Sequence, residues 1–215
     1  MSRADERVAA LAAAQNGGFS RAQAHDVGLS DDQLARRVRS GVLLQTGPHA
    51  FRFAGAPRSL RTELHDTVID IGEPMMCARS TAAALLGFDG FELRRPFHVL
   101  LPRARNVTRW NVRAHRTFAF DLIDRTTVDD LPVTTAARTI IDLALVLSTE
   151  RLAACIDSAI RDGLMSEDLL HRRIVALRSQ GRPGLPKLAE VLAGYEVTRG
   201  GHSWLEREYL RLITG

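Results

Sequence analysis

The sequence is poor in lysine, cysteine and aromatic residues, and each shortage excludes some classes of protein. Lys187 is the only lysine among the 29 basic residues. Arginine suits bidentate contacts to phosphate or guanine, but genome-wide composition explains this skew more simply. Cys77 and Cys155 are the only cysteines and lie far apart, which excludes zinc-ligand spacing and a disulfide framework. This cysteine usage suits a reducing cytoplasm.

The sequence also lacks an apolar run of the roughly 18 residues that a membrane span requires. The apolar stretch from Val8 to Ala14 is short and follows Asp5 and Glu6, whereas a secretory signal has a basic flank and a longer apolar core. With 45% hydrophobic and 25% charged residues and a net charge of +4, the 215-residue chain has a globular composition. We therefore expect a cytoplasmic protein without a membrane partner.

The clearest local signals lie between residues 19 and 53, after a predicted helix over about residues 4–15. Two short helices are predicted there, and each begins with a serine capping box and ends at a glycine. The capping serines are Ser20 and Ser30. Val42–Gln45 and Ala50–Phe53 then predict a β-hairpin. Because side chains alternate along a strand, we expect Val42 to share a face with Leu44, and Phe51 with Phe53, leaving Arg52 on the opposite side.

Two capped helices followed by a hairpin are typical of a winged helix-turn-helix, a module that usually reads DNA. The segment from Asp31 to Ser40 is the predicted recognition helix. Asp31 and Asp32 count against this interpretation because carboxylates repel phosphate, and the alternative is an ordinary helix pair with a solvated polar face. The predicted DNA-binding residues are Gln33, Arg36, Arg37 and Ser40 on one helix face, with His49 and Arg52 from the hairpin.

Gly55–Pro57 is the predicted domain boundary. We expect an α+β protein, with a winged helix-turn-helix over residues 1–56 and a mixed α/β domain over residues 57–195. In the second domain a small sheet would be flanked by helices. Its predicted strands are Phe97–Leu101, Val112–His115 and Phe118–Phe120, with an extended segment at Leu131–Val133. An amphipathic helix from Ser203 to Ile213 is predicted within the last segment, residues 196–215.

Three further stretches carry a likeness to a known family. Ser80–Gly87, Phe97–Pro102 and Leu131–Ala144, together with the N-terminal segment, resemble the AbiEi-type antitoxins, the DNA-binding halves of type IV toxin-antitoxin pairs. The resemblance implies binding to double-stranded DNA at the protein's own promoter and autoregulation of a toxin-antitoxin operon. It also implies neutralisation of a nucleotidyltransferase-like toxin without a stable complex.

The segment Ser203–Glu206 resembles the start of a very-short-patch-repair-like endonuclease domain, with Glu206 at its acidic position. The later carboxylates of that domain have no counterpart in this sequence. The alternative function is therefore a nuclease-associated protein whose catalytic half is missing or degenerate.

Catalytic patterns are scarce in the sequence. The seven histidines are scattered, and there is no His-Glu-x-x-His, glycine-rich phosphate loop or Gly-x-Ser-x-Gly motif. We expect no enzyme activity, cofactor or metal site. Arg138 and Asp142, four residues apart, are predicted to form a structural salt bridge within one helix. Arg103 and Arg105 begin a basic cluster that suits DNA, the toxin or a solvated loop equally.

Overall fold

The computed structural model of the chain has an α+β fold and describes residues 3–178 and 184–198. The chain divides into two compact units, residues 1–75 and 76–215. The boundary predicted at Gly55–Pro57 lies inside the first unit, because the helix Leu60–Ile71 packs against the sheet of that unit. No helix within the described ranges is long and apolar enough to cross a membrane.

The first unit consists of helices around a three-stranded antiparallel sheet with the strand order β1-β3-β2. Its elements are α1 (Arg3–Ala14), β1 (Gly18–Ser20), α2 (Arg21–Asp26), α3 (Asp31–Arg39), β2 (Leu43–Gln45), β3 (Ala50–Phe53) and α4 (Leu60–Ile71). The predicted helices and hairpin are confirmed. Strand β1 was not predicted, because its only large apolar side chain is Phe19 and its pairing partner is distant in the chain.

The first strand of the hairpin begins one residue later than predicted. Leu43 is buried and pairs with Phe53, whereas Val42 is 50% exposed. The backbone N–H of Val42 donates to the carbonyl of Arg37, so this residue belongs to the end of α3 rather than to the strand. Phe51 and Phe53 share the core face as predicted, and they pack there with Phe19.

The second unit contains a five-stranded mixed sheet with the order β6-β5-β4-β8-β7. Its strands are β4 (Met76–Cys77), β5 (Phe97–Pro102), β6 (Val112–Thr117), β7 (Arg125–Val128) and β8 (Leu131–Thr134). Its helices are α5 (Arg79–Leu85), a short 3-10 helix (Leu122–Asp124), α6 (Ala136–Leu143), α7 (Thr149–Arg161), α8 (Glu167–Arg178) and α9 (Leu185–Thr198). The predicted helix Ser203–Ile213, with Glu206, lies outside the described residues.

The helices α6 to α9 share one hydrophobic core, in which every residue of α6 is buried. In α7 the apolar stripe that faces this core includes Leu152, Cys155 and Ile156, which are all buried. Phe118–Phe120 is not a strand, and Phe118 is 83% exposed. Phe120 is partly buried and packs against Met76, Ala78 and Leu100, so the two aromatic residues do not lie on one face of a strand.

Candidate nucleic-acid interface

Helix α3 is held in place by an apolar pair on its inner face. Leu34 is 1% exposed and Val38 packs against the same core, and these residues are one helical turn apart. The opposite face is solvent-exposed and carries Asp32, Ala35 and Arg36. With Arg39 it forms a face at i, i+3, i+4 and i+7 spacing. This exposed face is rotated by about one position from the one predicted.

Arg36 and Arg39 are the cations that this face presents to solvent. Arg36 makes no side-chain hydrogen bond or ion pair within the part of the chain that the structure describes. The Nε of Arg39 lies 3.4 Å from the carbonyl oxygen of Ala35, a long contact within the helix. Arg39 was missed from the sequence, although the spacing of Leu34 and Val38 already places it on the outer side.

Arg37 is turned toward α1 instead. Its guanidinium forms an ion pair with Asp5 through Nε at 3.0 Å and also through Nη2. Its Nη1 donates to the carbonyl of Gln33 at 2.9 Å. The side chains of Arg37 and Asp5 are only 22% and 27% exposed. Arg37 therefore joins α3 to α1, and the structure does not place it with Arg36.

Gln33 and Ser40 have roles at the two ends of α3. The Gln33 side chain accepts from the backbone N–H of Ser30 at 3.0 Å, and the Ser30 hydroxyl accepts from the N–H of Gln33 at 3.3 Å. This is the predicted capping box, and it is confirmed. Ser40 is the C-terminal cap, and its hydroxyl donates to the carbonyl of Arg37 at 3.1 Å.

The negative charge at the start of α3 is largely compensated by α2. Asp31 forms an ion pair with Arg21, and the Nε2 of His25 lies 3.1 Å from its carboxylate. The hydrogen bond from Arg21, followed by that from His25, lowers the pKa of the Asp31 carboxyl. Arg21 also lies over the ring of Phe51 at 5.2 Å, which fixes its position. The objection that Asp31 repels phosphate is therefore weaker than the sequence suggested, whereas Asp32 remains exposed.

Arg52 is buried, so the prediction that it contacts DNA is wrong. The residue is 2% exposed, and its guanidinium binds Asp66 of α4 through Nε at 2.7 Å and through Nη2 at 2.9 Å. Two backbone carbonyls, those of Asn16 and Thr62, accept its remaining hydrogen bonds at 2.8 and 3.3 Å. The predicted face was correct, but α4 covers that face of the hairpin, which the local sequence could not reveal.

The turn of the hairpin leaves His49 exposed. The backbone N–H of His49 donates to the carboxylate of Asp70 at 2.6 Å, which fixes the turn against α4. A Cβ at Gly47 would lie 2.5 Å from the same Asp70 oxygen, so glycine is required at this position. The His49 side chain therefore stays on the predicted interface, although a buried carboxylate lies close behind it.

The predicted salt bridge in the second unit is confirmed. The Nε of Arg138 lies 2.9 Å from the Asp142 carboxylate, and Arg138 also binds Asp124, which in turn binds Arg173 at 2.6 Å. Arg138 and Asp124 are completely buried. Of the basic cluster on the neighbouring loop, Arg103 lies over the exposed ring of Phe118 at 5.3 Å, which places it beside β6.

The described residues contain no group of three or more histidine, cysteine or carboxylate side chains that could hold a metal ion. Burial raises the pKa of Cys77 to about 12 and that of Cys155 to about 11, so neither thiol has the character of a nucleophile. The exposed arginines of α3 are therefore the most distinctive surface chemistry of the first unit.

Comparison with known proteins does not assign the chain to a family. No protein-family model matches the chain, and no curated protein is significantly similar to it. Among solved structures, the chain is similar to the crystal structure of the RV2827C protein from Mycobacterium tuberculosis. The two chains are 17% identical, the alignment covers 90% of this chain and 82% of that one, and the TM-score is 0.48. A likeness at this level carries no functional argument.

Proposed function

We propose that the protein is a DNA-binding transcriptional regulator whose first unit is a winged helix-turn-helix. The observation that carries this proposal is the outer face of α3, where Arg36 and Arg39 are exposed side by side. An exposed helix bearing paired arginines can enter the major groove, where arginine binds guanine bidentately. Because this face of α3 is open to solvent and not buried against other elements, DNA can reach it.

The order of elements in the first unit supports the proposal. Helices α2 and α3 are joined by the short turn Val27–Ser30, which contains Gly28, and the β2–β3 hairpin follows directly. The hairpin is the wing in this interpretation, with His49 at its tip for a backbone contact. Arg21 at the start of α2 pairs with Asp31 and so reduces the negative charge at the N-terminal end of α3.

The biological role that we propose is antitoxin and autoregulator of a toxin-antitoxin operon. It rests on the resemblance of residues 80–87, 97–102 and 131–144 to the AbiEi-type antitoxins. The target would be double-stranded DNA at the protein's own promoter, and the partner a nucleotidyltransferase-like toxin that it opposes functionally. This role implies a cytoplasmic location.

The experiment is a fluorescence anisotropy titration of the full chain with its own promoter fragment. We expect Arg36→Ala/Arg39→Ala to weaken binding by roughly a hundredfold, because each arginine contributes about 1–3 kcal/mol to base or phosphate recognition. The matched control is Arg7→Ala/Arg58→Ala, which removes the same charge from exposed positions of the same unit. Binding should also fall steeply as salt is raised.

Two results would contradict the proposal. Equal affinity of the α3 variant and the control would exclude α3 as the recognition helix, and equal affinity for promoter and unrelated DNA would exclude operator recognition. The antitoxin role is tested separately by co-expression with a neighbouring nucleotidyltransferase gene. Growth that is not restored by this protein would exclude that role while leaving DNA binding intact.

A further inference from the structure

The second unit contains a cleft of about 470 Å³ between the start of α5, the end of β6 and α6. Its lining is rich in arginine, since three arginines and one aspartate contribute to it. The residues that matter for its chemistry are Arg79, His115, Arg116, Phe118, Arg138 and Asp142. A cleft with this surplus of positive charge favours an anionic ligand.

Arg138 in the wall of this cleft has an unsatisfied donor. Its Nε donates to Asp142 at 2.9 Å, and its Nη1 donates to Asp124 and to the carbonyl of Ala119 at 3.0 Å. Its Nη2 is buried and has no hydrogen-bond partner among the described residues. Buried guanidinium donors are nearly always satisfied, so this atom marks a place where an external acceptor oxygen would be stabilised.

Arg79 gives the cleft a second unusual arginine. Its backbone has a φ of 50°, in the left-handed region that non-glycine residues rarely adopt. Its half-buried side chain makes no hydrogen bond within the described part of the chain. Backbone strain of this kind persists where surrounding structure enforces it and is concentrated at ligand sites.

The negative charge in the cleft is already compensated. The Asp142 side chain is only 8% exposed and accepts from the Nε of Arg138. The other titratable side chain, His115, carries no negative charge. Its Nε2 lies 3.0 Å from the Nδ1 of His98, so the two rings are hydrogen-bonded to each other. Arg79 and Arg116 are therefore the groups with charge available for a ligand.

The rim of the cleft adds an aromatic surface to this charge. Phe118 is 83% exposed, and Arg103 lies over its ring at 5.3 Å. An exposed ring next to a guanidinium is a platform on which a nucleic-acid base stacks. Charge and aromatic surface thus adjoin in one cleft, which is the combination that a nucleotide requires.

We propose that this cleft binds a nucleotide, with its phosphate group on Arg79, Arg116 and Arg138 and its base on Phe118. The nucleotide is either free or part of a single-stranded nucleic acid, since both present the same phosphate and base. This site lies entirely within the second unit and does not depend on DNA recognition by α3.

The experiment is isothermal titration calorimetry of the full chain with inorganic phosphate, adenosine monophosphate and a short thymidine single strand. We expect adenosine monophosphate to bind at least about fivefold more tightly than phosphate, because base stacking contributes to its affinity. Phe118→Ala should abolish that difference and leave phosphate binding unchanged. A strand that binds more tightly than the mononucleotide identifies nucleic acid as the source, and the reverse order identifies a free nucleotide.

Arg79→Gly is the decisive variant, because glycine tolerates the positive φ and the variant should fold at least as well. We expect it to lose at least about tenfold in phosphate affinity, since a charged donor is removed. Arg94→Ala, which removes an exposed arginine paired with Glu92, is the matched control and should bind normally. Arg138→Met is unsuitable as the sole test because it breaks a buried ion pair.

Three outcomes would overturn the proposal. The first is the absence of binding by every probe at millimolar concentration, and the second is unchanged affinity in folded Arg79→Gly. The third is adenosine monophosphate binding no more tightly than inorganic phosphate, which would leave Phe118 without a role.

Discussion

Among its described residues each unit contains one buried arginine, and the two arginines differ in how completely their hydrogen-bond donors are satisfied. In the first unit, all three nitrogens of Arg52 donate hydrogen bonds, to Asp66 and to two backbone carbonyls. In the second unit, Arg138 is fully buried and pairs with Asp124 and Asp142, yet its Nη2 has no partner among the described residues. The same residue type therefore occupies two different electrostatic environments.

The difference separates an arginine with a structural role from one that has a hydrogen-bond donor without a partner. Arg52 joins the hairpin to α4 and is only 2% exposed, so burial removes it from any interface. Arg138 keeps a donor at the wall of a cleft. A buried charge is retained at a large desolvation penalty, and a fully bonded one is explained by packing alone. Only an incompletely bonded one calls for a functional explanation.

The largest effect is expected from Arg52→Met. It leaves the Asp66 carboxylate buried without its ion-pair partner, which destabilises a fold by about 3–5 kcal/mol. Urea denaturation combined with hydrogen exchange in β3 and α4 measures the loss for the first unit. The exposed Arg58→Met is the control and should stay within about 0.5 kcal/mol of the parent chain. A loss below about 1 kcal/mol, typical of an exposed pair, would contradict the structural role of Arg52.

A smaller loss is expected from Arg138→Met. Asp124 keeps Arg173 as a partner, and the substitution also removes the unsatisfied Nη2, so we expect about 2–3 kcal/mol. Hydrogen exchange in α6 reports on this unit, and Arg161→Met provides an exposed ion-pair control. If Arg138→Met is more damaging than Arg52→Met, the unsatisfied donor is not a source of instability.

Gly18→Ala tests the ion pair between Arg52 and Asp66 by adding a methyl group to the neighbouring backbone. A Cβ at this position would lie 2.6 Å from the Oδ1 of Asp66, so the carboxylate must shift away from Arg52. We expect a loss of about 1–3 kcal/mol from overpacking. Gly55→Ala is the matched control because its Cβ meets no atom within 4 Å. Equal stability of the two variants, measured by urea denaturation, would show that Asp66 moves freely.

The smallest expected effect is the change with pH in the stability of the second unit. Burial, then Arg79, lowers the pKa of His115 from 6.5 to about 3, with further contributions from His98 and Arg113. Burial also lowers the pKa of His98. The two histidines bind a proton more readily in the unfolded state. Their contribution to the free energy of unfolding is therefore complete above about pH 6.5 and declines as the pH falls toward 3.

Urea denaturation between about pH 7 and pH 5 measures this dependence before most carboxylates titrate. His115→Gln removes the titrating ring and should flatten the curve over that range. An unchanged slope in this variant would show that His115 is protonated as easily in the folded protein as in the unfolded one.

The helices were predictable because their signals are local. Capping boxes, glycine stops and the spacing of apolar residues marked α1 to α3 closely, since a helix satisfies its hydrogen bonds within a single segment. Strands β1 and β4 were missed because each is short and depends on a partner elsewhere in the chain, whereas β7, also missed, pairs with β8 across the turn at Asp129 and Asp130.

The interface was only partly predictable for the same reason. Arg36 and His49 are exposed where the sequence placed them, whereas Arg37 turns to Asp5 and Arg52 turns to Asp66. Both partners belong to helices that the local pattern does not locate relative to α3 and the hairpin. Arg39 joins the exposed face because Leu34 and Val38 fix the rotation of the helix.

The sequence by itself determined where the helices of this protein begin and where most of them end, that the hairpin forms, and that Arg138 and Asp142 pair within one helix. The tertiary structure alone decided which arginines remain in contact with solvent and which donor of Arg138 stays unsatisfied. The physical reason is that a cap or an i, i+4 pair is complete within a few residues. The exposure of a guanidinium depends on the carboxylates and helices that folding brings beside it.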